Sequence, residues 1–211
     1  MTWGNIWVLE SNAASFLAEL PHTGEIQRAA DTPLVDAPAT RADLGEATVV
    51  IFDVMPTNPV RLATYGMPPS YYNNESMSAF LQPGVDACRQ CGVKPALKIK
   101  REMPAELKLD SYQQLIERLH AAGDLILLDH SVDALRYIQQ AKAVISVPFT
   151  TTAIYAERCA VPSIFYDSTD TLKPPPNATE DVYQFLSHGI PIVRGPQALV
   201  AWVKVQLRDV A

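Results

Sequence analysis

The chain has 211 residues, enough to bury one substantial core or, with difficulty, two small ones. Its 17 Lys and Arg against 23 Asp and Glu give a formal net charge of −6, which argues against nucleic acid as a main partner, because phosphate backbones need clustered basic residues. No run of about 18 apolar residues occurs, and the opening Met1, Thr2, Trp3 and Gly4 lack the charged start and apolar stretch of a signal peptide. The expectation is a cytoplasmic protein without a transmembrane segment, meeting the inner membrane only through partners.

In chain order, a short apolar run at 6–9 reads as a strand, and the first ~45 residues around it as an irregular opening unit of the main sheet. A second strand, 48–52, ends at Asp53, followed by Thr57 and Asn58. A carboxylate at that place can orient a sugar hydroxyl, act as a base, or simply begin a turn. The loop 54–75 carries Pro56, Pro59, Pro68 and Pro69 with Tyr65, Tyr71 and Tyr72, and its aromatics suggest an interface. With 17 prolines against nine glycines, such loops are expected to be stiff.

Helix 76–91 ends in Cys88-Arg-Gln-Cys91 beside Gly92. A metal site wants a second such pair, and a redox site wants a helix start, so a structural role is the better reading. Three cysteines give no disulfide framework, and the four histidines show no ligand spacing. Strand 96–99 runs into Lys98, Lys100, Arg101 and Glu102. Alternation puts Lys98 and Lys100 on one side, where they must reach solvent or an anion, or else blunt an edge strand.

Helix 111–122, behind Asp110, leads to strand 125–128 and then to Asp129-His130-Ser131. There His130 could contact a nucleobase or ribose, while Ser131 could cap helix 132–141. Strand 143–147 opens into Pro148-Phe149-Thr150-Thr151-Thr152, which leads helix 151–159. A strand passing through a hydroxyl-rich turn into a helix presents free amides at the positive end of the helix dipole and binds anions. A cap by Thr150 or Thr151 is the plainer reading.

Strand 163–166 ends at Asp167-Ser168, and the loop to 178 holds Lys173 and Pro174, Pro175 and Pro176. Helix 180–187, Gly189, strand 190–193 and helix 197–210 complete the chain. Gly92, Gly123 and Gly189 stand where left-handed C-caps are wanted. Alternation of continuous apolar strands with amphipathic helices predicts an α/β fold: a doubly wound, mostly parallel, Rossmann-like sheet with helices on both faces, in one domain over 1–211.

The run Ala143 to Thr152, then Ala156, then Val161-Pro-Ser-Ile-Phe-Tyr-Asp-Ser168, resembles bacterial surface-polysaccharide biosynthesis proteins with a PFTS motif. Thr152 is read as standing where the family's motif has serine, and the hydroxyl is kept. That family is similar to the C-terminal donor-binding half of GT-B glycosyltransferases and to Kdo transferases and sialyltransferases, which use CMP-activated acidic sugars. The resemblance implies a nucleotide-sugar donor, with no other cofactor, and a glycan acceptor. With the helix-end and strand-end arguments above, it makes Thr150, Thr151, Thr152, Lys100, Arg101, His130 and Ser168 the candidates for the nucleotide and its phosphate. Asp53 and Asp167 are the candidate catalytic carboxylates, and no metal is required because no Asp-x-Asp occurs.

A GT-B active site lies between two Rossmann-like domains, and 211 residues are short for both. An acceptor-binding domain or second subunit would then complete the site. The competing readings are a non-catalytic flavodoxin-like or receiver-like domain, and a UDP-sugar epimerase-like domain.

Overall fold

The structure, a computed structural model, describes residues 6–8, 26–28, 42–56, 73–99, 110–169 and 189–208. The chain divides into two units, Met1–Ala39 with Pro174–Gly189 and Thr40–Lys173 with Ile190–Ala211. In the first, β1 (Ile6–Val8) and β2 (Ile26–Arg28) form a parallel pair of their own. This corrects the expectation that the opening strand joins the main sheet: its partner is a three-residue segment, too short for hydrophobic period to reveal.

The second unit holds a six-stranded sheet in the order β5-β4-β3-β6-β7-β8, with every pairing parallel. Its strands are β3 (Val49–Phe52), β4 (Pro95–Lys98), β5 (Ile126–Leu127), β6 (Ala143–Ser146), β7 (Ser163–Asp167) and β8 (Ile192–Arg194). The helices are α1 (Asn74–Gln90), α2 (Asp110–Ala121), α3 (Ala134–Ile138), α4 (Thr151–Arg158) and α5 (Pro196–Arg208). The strand order runs outward from β3 in one direction and then, from β6, in the other. Ligands of open parallel sheets bind outside the carboxyl ends of the strands at such a reversal. Here that place lies between β3 and β6.

Both faces of the sheet are covered, as the unbroken apolar strands require. Along β3, Val49 and Ile51 join a core with Phe80, Leu81 and Val85 of α1, Tyr112 and Ile116 of α2, and Leu199 and Val203 of α5. The alternate residues Val50 and Phe52 pack on the opposite face with Tyr137 and Ile138 of α3 and Ala156 of α4. Helix α1 comes so close to β3 that a Cβ at Gly84 would stand 3.2 Å from Ile51 Cδ1.

The helix ends follow a common scheme. Asn73 and Ser76 form a reciprocal capping box on α1, each side chain accepting from the other's amide. Beyond α1, α2 and α4 the chain turns through a left-handed residue: Gly92, Gly123 and Ala160, the last at φ 57°. In each case the amide of that residue and the amide after it close back on the helix, as Ala160 N to Glu157 O at 2.8 Å and Val161 N to Ala156 O at 2.9 Å do for α4. Gly189 is also left-handed, while the predicted helix 180–187 before it lies outside the described residues. The cap of α3 is Asp133, whose carboxylate accepts from Leu135 N at 2.9 Å, and not Ser131. Ser131 is already engaged by Asp129, which shifts the helix start two residues onward.

Candidate functional site

The carboxyl ends of the six strands bring groups from distant parts of the sequence onto one rim. In spatial order these are the 129–131 turn after β5, Lys98 on β4, Asp53 after β3, the 148–152 turn after β6, Asp167 and Ser168 at β7, and Arg194 on β8.

The 148–152 turn is built from within. Phe149 adopts a left-handed backbone at φ 61°, unusual for a residue with a side chain, and its ring packs on Phe165 of β7 with centroids 5.8 Å apart. Thr150 holds the N-cap position of α4, yet its side chain makes no capping bond. Its hydroxyl donates back to Val147 O at 2.7 Å and lies 3.3 Å from Thr152 Oγ1. Thr152 Oγ1 lies 2.9 Å from the hydroxyl of fully buried Ser146 on β6. The competing reading of a hydroxyl cap by Thr150 is therefore not met: two of the three threonines tie the turn to the strand. Thr151 is exposed at the first position of α4. With no Thr150 cap, the first amides of the helix face the rim at the positive end of the dipole.

Beside this turn, Asp53 is buried and its Oδ2 accepts from Tyr112 Oη of α2 at 2.8 Å. Burial, together with the adjacent carboxylate, pushes the Tyr112 phenol well above its ordinary range, so it stays a donor. Tyr112 carried no signal in the sequence beyond an apolar helix position; only the packing of α2 shows its hydroxyl has a partner.

Lys98 is buried, with Nζ 2.8 Å from His130 O and 3.4 Å from Ile99 O. Burial lowers its pKa, against the opposing pull of Asp129, Asp133 and Asp53. Strand β4 is interior, paired with β3 and β5, so the reading of a charged edge strand is overturned. Nor does Lys98 stand in open solvent: it ties β4 to the turn after β5. In that turn Asp129 Oδ1 accepts from Ser131 N at 2.8 Å and Ser131 Oγ at 2.7 Å, which hold the carboxyl below its usual range. His130, between them, is exposed on the rim. Lys100, Arg101, Thr57, Asn58 and Lys173 lie outside the described residues.

At the far side, Asp167 is the last residue of β7, not the first of a loop, and is nearly fully buried. Its Oδ2 lies 3.2 Å from Nε of Arg194, its register partner on β8, and its Oδ1 3.4 Å from the Thr169 hydroxyl. Arg194 is a rim residue the sequence reading did not single out, because it ends the last strand at Val193. Its signal was Arg-Gly-Pro between a strand and a helix. Ser168 follows Asp167, half-buried, and Glu157 is exposed on α4.

The two cysteines of Cys88-Arg-Gln-Cys91 close α1 and leave the rim alone. Cys88 is fully buried, and burial followed by the nearby Cys91 pushes its thiol up to about 12, so it is inert as a nucleophile. Among the described residues no group of three or more His, Cys, Asp or Glu could hold a metal ion, and no helix is long and apolar enough to cross a membrane.

No curated protein matches the chain. A family model does, that of the polysaccharide biosynthesis PFTS motif proteins, over residues 1–203. The turn at the centre of the rim reads Pro148-Phe149-Thr150-Thr151, which corrects the alignment of the motif: Thr151, not Thr152, stands in the place of its serine. With nearly its whole length matched and the motif seated at the strand-order reversal, the chain belongs to the polysaccharide biosynthesis PFTS motif protein family.

Proposed function

We propose that this chain binds the nucleotide-sugar donor, a CMP-sugar in preference to others, for a glycosyltransferase of surface polysaccharide biosynthesis. One observation carries the reading: the motif turn stands at the end of β6 beside the switch point, with no Thr150 cap on α4. Amides at the positive end of a helix take a phosphate without a basic side chain. Thr151, exposed at the same helix start, adds its hydroxyl. Lys100, Arg101, His130 and Ser168 complete the nucleotide site in this reading, and Asp53 and Asp167 are its carboxylates.

Transfer would be direct, with the turn and the basic pair offsetting charge on the departing nucleotide phosphate. The glycan acceptor would be held by a further domain or subunit, and the site would lie on the cytoplasmic side of the inner membrane.

Calorimetric titration of the full chain with CMP, UDP and GDP tests the proposal. Binding of CMP that weakens about tenfold in Thr151→Ala and in Lys100→Ala is expected, the loss of a hydrogen bond to a charged group. A preference for UDP would remove the CMP assignment only, whereas failure of all three nucleotides would remove the donor site.

A further inference from the structure

The tyrosines of the main sheet unit divide by what surrounds them. Tyr112 and Tyr137 are buried, and their hydroxyls reach Asp53 Oδ2 at 2.8 Å and Asp129 O at 3.5 Å. Tyr166 is buried against Phe80, with ring centroids 6.0 Å apart. Tyr155, within α4, is 39% exposed and, among the described side chains, is the one exposed aromatic. A single apolar group at the surface needs no explanation by itself. The place of this one supplies the argument.

Tyr155 follows Thr151, the exposed hydroxyl at the start of α4, by four residues. Residues so spaced are neighbours on one helix face, with Cβ atoms about 5–6 Å apart. Ala153 and Ala156 take the buried face of the same helix, so the Thr151–Tyr155 stripe is left to solvent. Side chains of a helix lean toward its N-terminus, and a long one covers the turn before its own. The Tyr155 ring therefore belongs over the end of α4 at which Thr150 provides no cap and the first amides stand. One helical turn spans about 5.4 Å, the scale on which a 5′-nucleotide holds its base away from its phosphate. A phosphate on those amides would set a base within reach of the ring.

We propose that Tyr155 is the stacking platform for the nucleobase of the nucleotide whose phosphate occupies the turn before α4. The proposal rests on the reading of that turn as a nucleotide-phosphate site, and adds that the base is held by its face on the outer side of α4. Stacking removes the exposed ring and the base from water together, and every base has a face that can take part. Affinity thus comes from the ring, while the choice among bases falls to groups that meet the base edge.

The test is calorimetry on the full chain with CMP, UDP and GDP, and with ribose 5-phosphate, which carries the phosphate without a base. Wild type, Tyr155→Ala and Tyr155→Phe are compared, and an exposed position should let both variants fold. Whichever nucleotide binds should weaken about tenfold in Tyr155→Ala, the loss for one stacked base, and by less than about twofold in Tyr155→Phe, which keeps the ring. Ribose 5-phosphate should bind the wild type and Tyr155→Ala alike. Unchanged nucleotide affinity in Tyr155→Ala, or an equal loss for nucleotide and ribose 5-phosphate, overturns the platform and leaves the phosphate site standing. A loss in Tyr155→Phe as large as in Tyr155→Ala assigns the contact to the hydroxyl and also overturns it. No binding by any of the four ligands overturns both the platform and the phosphate site.

Discussion

The hydroxyl of Ser146, wholly buried on β6, lies 2.9 Å from that of Thr152 in the first turn of α4, and Thr150 donates to Val147 O at 2.7 Å. Two hydroxyls of the motif thus hold the strand–helix turn in shape, while Thr151 stands exposed. Replacing Thr152 by Val keeps the shape and strands the Ser146 hydroxyl, at a cost of about 1–3 kcal/mol in urea denaturation. Thr151→Ala should change stability by less than about 0.5 kcal/mol and should weaken nucleotide binding. The reverse pattern would mean that the roles of the two threonines have been exchanged.

Asp167 and Arg194 make a pair in which the aspartate side chain is 1% exposed and the arginine side chain 38%. Arg194→Met leaves a buried charge without this cation and should destabilise by about 1–3 kcal/mol, less than for a fully buried pair because water still reaches the arginine side. In the double variant Asp167→Asn, Arg194→Met much of that loss should return. A double-mutant cycle measured by denaturant melts gives the coupling, and strictly additive effects would show that the pair contributes nothing.

Ala160 turns the chain out of α4 at φ 57°, the place that Gly92 and Gly123 take after α1 and α2. An exposed alanine there carries a Cβ against its own backbone that glycine lacks. Ala160→Gly should therefore raise stability by about 0.5–1 kcal/mol, read as a higher thermal midpoint. A fall would show that the unfolded-state entropy of the added glycine outweighs the relief.

The Cys88 thiol predicts loss of stability in alkali. It ionises at 9.0 when unfolded and is pushed by burial to about 12 when folded. Between those values the folded state holds the proton and the unfolded state releases it, so stability falls as pH rises, by on the order of 4 kcal/mol across the window. Tyr112, also raised by burial, acts in the same sense above 10.0, whereas Lys98, lowered by burial, opposes it below 10.5. Denaturant midpoints from pH 8 to 11 should decline more steeply in the wild type than in Cys88→Ala. Parallel curves would mean that Cys88 ionises in the folded protein as it does in the unfolded chain.

The legible parts of the sheet were those with local causes. Val49–Phe52 and the 143–145 part of β6 are unbroken apolar runs, and Gly92 and Gly123 mark the ends of α1 and α2 by the one residue type at ease there. Boundaries slipped where a side-chain contact decided them. Asp133 displaced Ser131 as a cap because Asp129 had claimed the serine, and β8 reached Arg194 because its carbonyl-end neighbour is Asp167. Neither contact has a signature in residue order.

The Pro148–Thr152 stretch shows the same division at the site. Residue types alone determined that a strand meets a helix there through a hydroxyl-rich turn, and that the fold is a parallel α/β sheet, since both follow from spacing along the chain. Only the tertiary structure decided that two threonines face inward and one outward, that Lys98 is buried on an interior strand, and that Asp53 meets Tyr112 59 residues away. These depend on strand order and helix docking, which set which distant groups must satisfy one another once water is excluded.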